Sequence, residues 1–123
     1  MRTFLDTNCL LRYLLEDNPE QCETVSALVE EGATTGLEFL SECVYVLSGK
    51  VYGFTRDQVS DALTALLDDI DCEHRETALE ALRLYRANGL DFPDCILAAR
   101  SKVEGVPVLT FDRKLRKLLE QRL

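Results

Sequence analysis

The chain has 123 residues, 46% of them hydrophobic and 29% charged, which is enough for one domain with a proper core and too apolar for a disordered protein. A formal net charge of −8 argues against general binding to a polyanion, and five cysteines without a CxxC pair (Cys9, Cys22, Cys43, Cys72, Cys95), beside a single histidine, His74, argue against a disulfide framework or a zinc site. No apolar stretch approaches the roughly 20 residues of a membrane span, and the start of the chain lacks the apolar middle of a signal peptide, so a cytoplasmic protein is expected.

The first predicted element is a short strand over residues 2–5, which stops on Asp6 and hands over to a helix at 9–15. Asn18 followed by Pro19 starts a second helix, which runs to Glu31 and ends at Gly32. Residues 33–36 read as a short strand or extended turn. The run LEFLSECVYVLS, 37–48, is too long for a strand and is stopped by Gly49, which predicts a helix. Thr55 and Gln58 have capping-box spacing and open a helix to Leu67; 70–73 is a weak strand. Leu79, Leu82 and Tyr85 share one face of a helix at 76–86, which Asn88-Gly89 ends. Asp91 and Pro93 open a further helix through Val103, residues 107–110 read as the last clear strand, and Asp112 opens the final helix.

Strands alternating with helices through short loops predict a single α/β domain over 1–123, with a short central parallel sheet of four to five strands covered by helices on both faces. Ligands of such sheets collect at the carboxyl ends of the strands. Asp6 ends the first strand and Asp112 lies two residues beyond the last, so both acids are expected on that rim. Each also fits a plain helix cap, as does Asp91, with Asp94 placed in the first turn to favour the helix dipole. Asp6 is harder to explain that way, because its strand is expected to be central and buried. Glu42 has Glu38, Phe39, Tyr45 and Val46 one turn away, which predicts a largely apolar face where a lone charge is expensive to bury. Four converging carboxylates with no His or Cys would select a hard divalent ion, Mg²⁺ or Mn²⁺, suited to phosphodiester hydrolysis.

The stretches FLDTNCLLRYLL, LEFLSECVYVLSGKVYGFTRDQV, LDFPDCILAARS and VLTFDRKL resemble, in order and spacing, the four acidic motifs of PIN-domain ribonucleases, and most of all those of the VapC toxins of toxin–antitoxin pairs. The resemblance runs from Thr3 to about Leu115. It implies a PIN-like fold and a metal-dependent endoribonuclease with Asp6, Glu42, Asp94 and Asp112 as the acidic site. Asp6 and Asp94 would be the direct Mg²⁺ or Mn²⁺ ligands, with Glu42 and Asp112 as further candidates. Asn8 and Thr110 match polar positions that would orient those carboxylates, and Asp91 matches an acid beside the third one. A cognate antitoxin and a homodimer are implied by the same likeness.

Two other classes compete with this reading. A receiver-like signalling domain also gathers acids and Mg²⁺, but it needs a lysine just after its last sheet strand, where this chain has Thr110-Phe111-Asp112, and a phospho-accepting Asp at a middle strand end, for which Asp71 is a poor candidate; a haloacid-dehalogenase-like phosphatase wants D-x-D where this chain has Asp6-Thr7-Asn8. A PIN-like protein that only binds a partner is a third alternative. Charge distribution adds a surface to test. Seven basic residues against four acids give 94–123 a local net charge of +3 and leave −11 on 1–93. Arg113, Lys114, Arg116 and Lys117 are therefore candidates to hold an RNA backbone beside Asp112, although a solvated helix face fits the charge equally well.

Overall fold

A computed structural model of the chain describes residues 1–121, whose contacts fall into two units, Met1–His74 and the part from Arg75 onward. Among the described residues no helix is long and apolar enough to cross a membrane.

The first unit holds the whole sheet. Strands β1 (Thr3–Phe4), β2 (Ala33–Thr35) and β3 (Asp71–Cys72) pair in parallel in the order β1-β2-β3, with Thr3 opposite Ala33 and Thr34 opposite Asp71. Parallel neighbours need a long crossover, and here each crossover is a helix pair. Helices α1 (Thr7–Leu15) and α2 (Pro19–Glu31) join β1 to β2; α3 (Leu37–Ser48) and α4 (Arg56–Asp69) join β2 to β3.

Local chemistry explains most of these boundaries. Asn18 caps α2 by accepting from the Gln21 N–H, Pro19 stands at its first turn, and Gly32 ends it at φ 106°, where a side chain would be strained. Thr55 and Gln58 form the reciprocal capping box of α4. Tyr13 donates to Asp69 Oδ2 at 2.8 Å, tying α1 to the end of α4, and both burial and that acceptor push the phenol up to about 12. Leu10, Leu40, Leu47 and Leu63 are fully buried in this unit.

The second unit is helical: α5 (Arg75–Ala87), α6 (Phe92–Ala99) and α7 (Arg113–Glu120). Tyr85 of α5 meets Phe92 of α6 edge-to-face, with ring centroids 5.8 Å apart. Two expectations fail here. The helix predicted through Val103 stops at Ala99 and widens into a π-turn, Arg100–Glu104, closed by Gly105 at φ 71°. Glu104 accepts from the buried Thr77 hydroxyl at 2.6 Å and pairs with Arg100 at 3.1 Å, so the widened turn has tertiary partners. Residues 107–110 form no strand, and the sheet has three strands instead of the four to five expected. A strand exists only through a partner, and the described residues of this unit contain no other strand. Leu109 and Phe111 stand 84% and 85% exposed in consequence.

Glu80 of α5 receives both Nε and Nη2 of Arg83, at 2.8 and 2.6 Å, and Lys102 Nζ at 3.0 Å. The Arg83 fork holds its carboxyl below the ordinary glutamate value of 4.5, with Lys102 helping and burial opposing. A carboxylate depressed by folding stabilises the fold above its unfolded value, and the contribution is lost as pH falls through the folded value. Glu80→Gln is therefore expected to be less stable than the parent by at most about 1 kcal/mol at neutral pH, since Arg83 is half exposed. Urea unfolding at stepped pH checks this: the gap should close below pH 4.5. A gap that persists unchanged at pH 3 would deny the ion pairs any role.

Candidate functional site

The acids fall into a pair in each unit, each pair positioned by local backbone chemistry. In the first unit Leu5 is the buried end of the β1 segment: its N–H donates to Thr34 O at 2.8 Å, and its carbonyl accepts from the fully buried Thr35 hydroxyl at 2.9 Å. That clamp fixes the next residue, Asp6, at the N-cap of α1. The Cys9 N–H donates to Asp6 Oδ1 at 3.0 Å and is the main reason that the carboxyl is held below its ordinary value; the Asn8 N–H adds to it. Asn8 thus acts on Asp6 through its backbone, while its exposed side chain stays on the surface of α1.

Glu42 is exposed, which corrects the expectation of an apolar setting. The buried stripe of α3 is Leu37, Leu40, Cys43, Val44 and Leu47, and this leaves Glu38, Glu42 and Tyr45 on the open side. Tyr45 is 82% exposed. Glu42 is oriented all the same, because the Thr7 hydroxyl donates to Glu42 Oε2 at 3.0 Å. Thr7 follows Asp6 directly, so one short segment at the start of α1 fixes the first acid and steers the second. Sequence reasoning passed over Thr7, although it lies inside the Asp6-Thr7-Asn8 run. Asp6 was also expected beyond a central strand, whereas β1 lies at an edge of the three-stranded sheet and both its residues are exposed.

In the second unit Asp91 occupies the N-cap position of α6 without a side-chain cap bond, and Asp94 lies in the first turn. Asp112 caps α7 by accepting from the Leu115 N–H at 2.8 Å. Thr110 organises the approach to it: its Oγ1 accepts from the Asp112 N–H at 3.1 Å, and its carbonyl accepts from Arg116 Nη2 at 3.0 Å. Burial, then the negative charges of Asp112 and Asp91, push the Asp94 carboxyl above its ordinary value. Asp112 and Asp91 therefore act electrostatically on Asp94. Arg113, Lys114, Arg116 and Lys117 are all exposed on α7, and of these Arg116 is already engaged with the Thr110 carbonyl.

The cysteines beside these acids have packing roles. Cys43 and Cys95 are buried, Cys9 half-buried, and burial foremost pushes the Cys43 thiol up to about 12. Among the described residues no three His, Cys, Asp or Glu side chains form a ready-made metal cage. The carboxylates and the Thr7 and Thr110 hydroxyls offer only oxygen donors, and the influences on Asp94 are burial and two acidic neighbours. Such a set fits a hard divalent cation, whose charge would relieve the crowding. A family model described as PIN domain matches residues 3–120 of the chain. No curated protein and no solved structure matches it.

Proposed function

Since this chain belongs to the PIN-domain family, a family of nucleases, we propose that it is a metal-dependent endoribonuclease acting in the cytoplasm, and the toxin of a toxin–antitoxin pair. The family match covers nearly the whole chain, which supports reading residues 1–123 as a single domain. The observation that carries the metal reading is the Asp94 carboxyl, pushed above its ordinary value by burial and by the negative charges of Asp112 and Asp91. Asp6 and Asp94 are the proposed direct ligands of Mg²⁺ or Mn²⁺, with Glu42 and Asp112 as additional carboxylates. When bound, the ion supplies an activated water and offsets charge developing on the phosphodiester.

This chain's own groups then have separable tasks. The Cys9 N–H keeps Asp6 ionised and hence able to bind a cation. Thr7 presents Glu42 in one orientation. Thr110 fixes the backbone of Asp112, the Asn8 N–H helps to keep Asp6 ionised, and Asp91 adds negative charge beside Asp94. Arg113, Lys114, Arg116 and Lys117 are proposed to hold RNA phosphates, which calls for sequence-independent, salt-sensitive binding. The antitoxin, in this reading, offers an Arg or Lys to the same carboxylates, and the active form is a homodimer.

The test is cleavage of labelled single-stranded RNA and DNA by the purified protein. Cleavage of RNA with Mg²⁺ or Mn²⁺, its loss on adding EDTA and its return with excess Mn²⁺ are expected. Undiminished cleavage in EDTA would remove the metal mechanism, and cleavage of DNA alone would replace the substrate class. For the toxin role the informative observation is the neighbouring reading frame: a small protein with a DNA-binding start and an Arg-bearing tail is expected.

A further inference from the structure

A groove of about 400 Å³ runs between α1 and α2 in the first unit, lined by Asn8, Arg12, Asn18, Gln21, Thr24 and Val25 among others. Its first lining residue on α1 is Asn8, two residues after Asp6. Asp6 caps that helix, Asn8 lies in its first turn, and Arg12 is one turn beyond Asn8 on the same face. The groove therefore runs along α1 from Asn8, two residues after the proposed ligand Asp6, to a guanidinium in an otherwise acidic stretch of chain.

The state of that guanidinium points to a missing acceptor. Arg12 Nη1 pairs with Asp17 Oδ1 at 3.2 Å, and its side chain is only 19% exposed. Its Nε is buried and has no hydrogen-bond partner among the described residues. A buried donor without an acceptor is costly, so the pairing with Asp17 does not exhaust what this fork can bind. A phosphate suits a guanidinium better than a single carboxylate oxygen does, because it takes two N–H groups at once. Asp17 is partly exposed and can be released to water at little cost. Side-chain rotations of this kind are common when a partner binds.

We infer that the α1–α2 groove carries the RNA strand away from the carboxylates, and that Arg12 exchanges Asp17 for a backbone phosphate when the strand enters. This rests on the ribonuclease reading and adds a contact that neither charge patterning nor the basic α7 segment indicated. Asn8, Asn18 and Gln21 line the same groove with amides that both donate and accept, which suits ribose and base edges. Glu20 also lines it and repels a phosphate, so the strand is expected to lie toward Arg12 and away from the first turn of α2.

The exchange makes two substitutions move in opposite directions. Binding of a short single-stranded RNA of randomised sequence is followed by fluorescence anisotropy over a range of salt, with the metal chelated so that the strand stays whole. Arg12→Gln is expected to weaken binding about tenfold and to reduce the magnitude of the salt slope by about 0.7, the share of one phosphate contact on a single strand. Asp17→Asn frees the guanidinium and is expected to tighten binding. Arg12→Lys should keep most of the slope, because it keeps the charge. An ion pair of purely structural value would lower the melting temperature of both variants alike and leave RNA binding as in the parent, which would overturn the inference; so would weaker binding by Asp17→Asn. A parent protein that neither binds nor cuts RNA would instead defeat the ribonuclease reading itself, and the inference with it.

Discussion

Asp94→Asn and Asp6→Asn are each expected to lower metal-dependent RNA cleavage by about three orders of magnitude, a loss of roughly 4 kcal/mol of transition-state stabilisation. Asparagine is the informative replacement. At position 6 it keeps an oxygen for the Cys9 N–H and caps about as well as aspartate, so α1 should stay capped while the charge disappears. At position 94 it removes a charge that burial, Asp112 and Asp91 already oppose. The sign there is the reverse of the Glu80 case. A carboxyl raised by folding stabilises the fold only while it is protonated, and that contribution is lost as pH rises through its folded value. Without metal, Asp94→Asn should thus be at least as stable as the parent at neutral pH, and the difference should vanish well below the ordinary aspartate value of 3.8. Single-turnover cleavage and calorimetric titration with Mn²⁺ are the measurements. Parent-like Mn²⁺ affinity in both variants would show that neither acid is a ligand, whatever happened to the rate.

The elements that could be read from the chain are those whose ends are decided within a few residues. Asn18-Pro19 and Gly32 bracket α2 because a cap, a preset φ and a positive φ are local properties. The Thr55-Gln58 box does the same for α4. Residues 107–110 lacked that protection. Val108, Leu109 and Thr110 have strand composition, but composition does not supply the neighbour that a ladder requires, and the strands among the described residues all precede His74. Sheet order is non-local for the same reason. Nothing in residues 2–5 reveals that, among the described residues, β1 pairs with β2 alone. The π-turn at Arg100–Glu104 depends on Thr77, 27 residues earlier, reaching Glu104, whereas an i,i+4 Arg–Glu pair alone would have suited a regular helix.

The acids were legible for a different reason: a carboxylate just after a strand, or at a helix start, stands out by its place. Their surroundings were not. Glu42 was expected on an apolar face because Phe39, Tyr45 and Val46 flank it, yet the helix buries the stripe through Leu40, Cys43 and Leu47 and turns Tyr45 outward. Aromatic character misled the choice of face. What orients Glu42 is a hydroxyl 35 positions away, and no spacing rule could supply that pair. Arg12 was invisible as a candidate because its significance lies in one nitrogen without an acceptor, a property of packing alone.

Helix α1 has become the most heavily used element of the first unit, since Asp6, Thr7, Asn8 and Arg12 all depend on its position. Its place is set from below by Leu10, which is fully buried, and Leu11. Leu10→Ala is expected to destabilise the protein by about 2–5 kcal/mol, through lost apolar burial and the cavity left behind. Against the usual 5–15 kcal/mol of a folded domain this is a large fraction, and the urea midpoint should fall accordingly. Activity should respond differently from stability. A helix that shifts toward the cavity would carry Thr7 away from Glu42 and the Cys9 N–H away from Asp6, so cleavage should fall even at temperatures where the variant is fully folded. Asp6→Asn offers the contrast, with chemistry lost and stability kept. If Leu10→Ala lost stability by the expected amount but cleaved RNA at the parent rate while folded, the placement of α1 would not matter to the reaction, and the acids would have to act without the orientation that Thr7 gives.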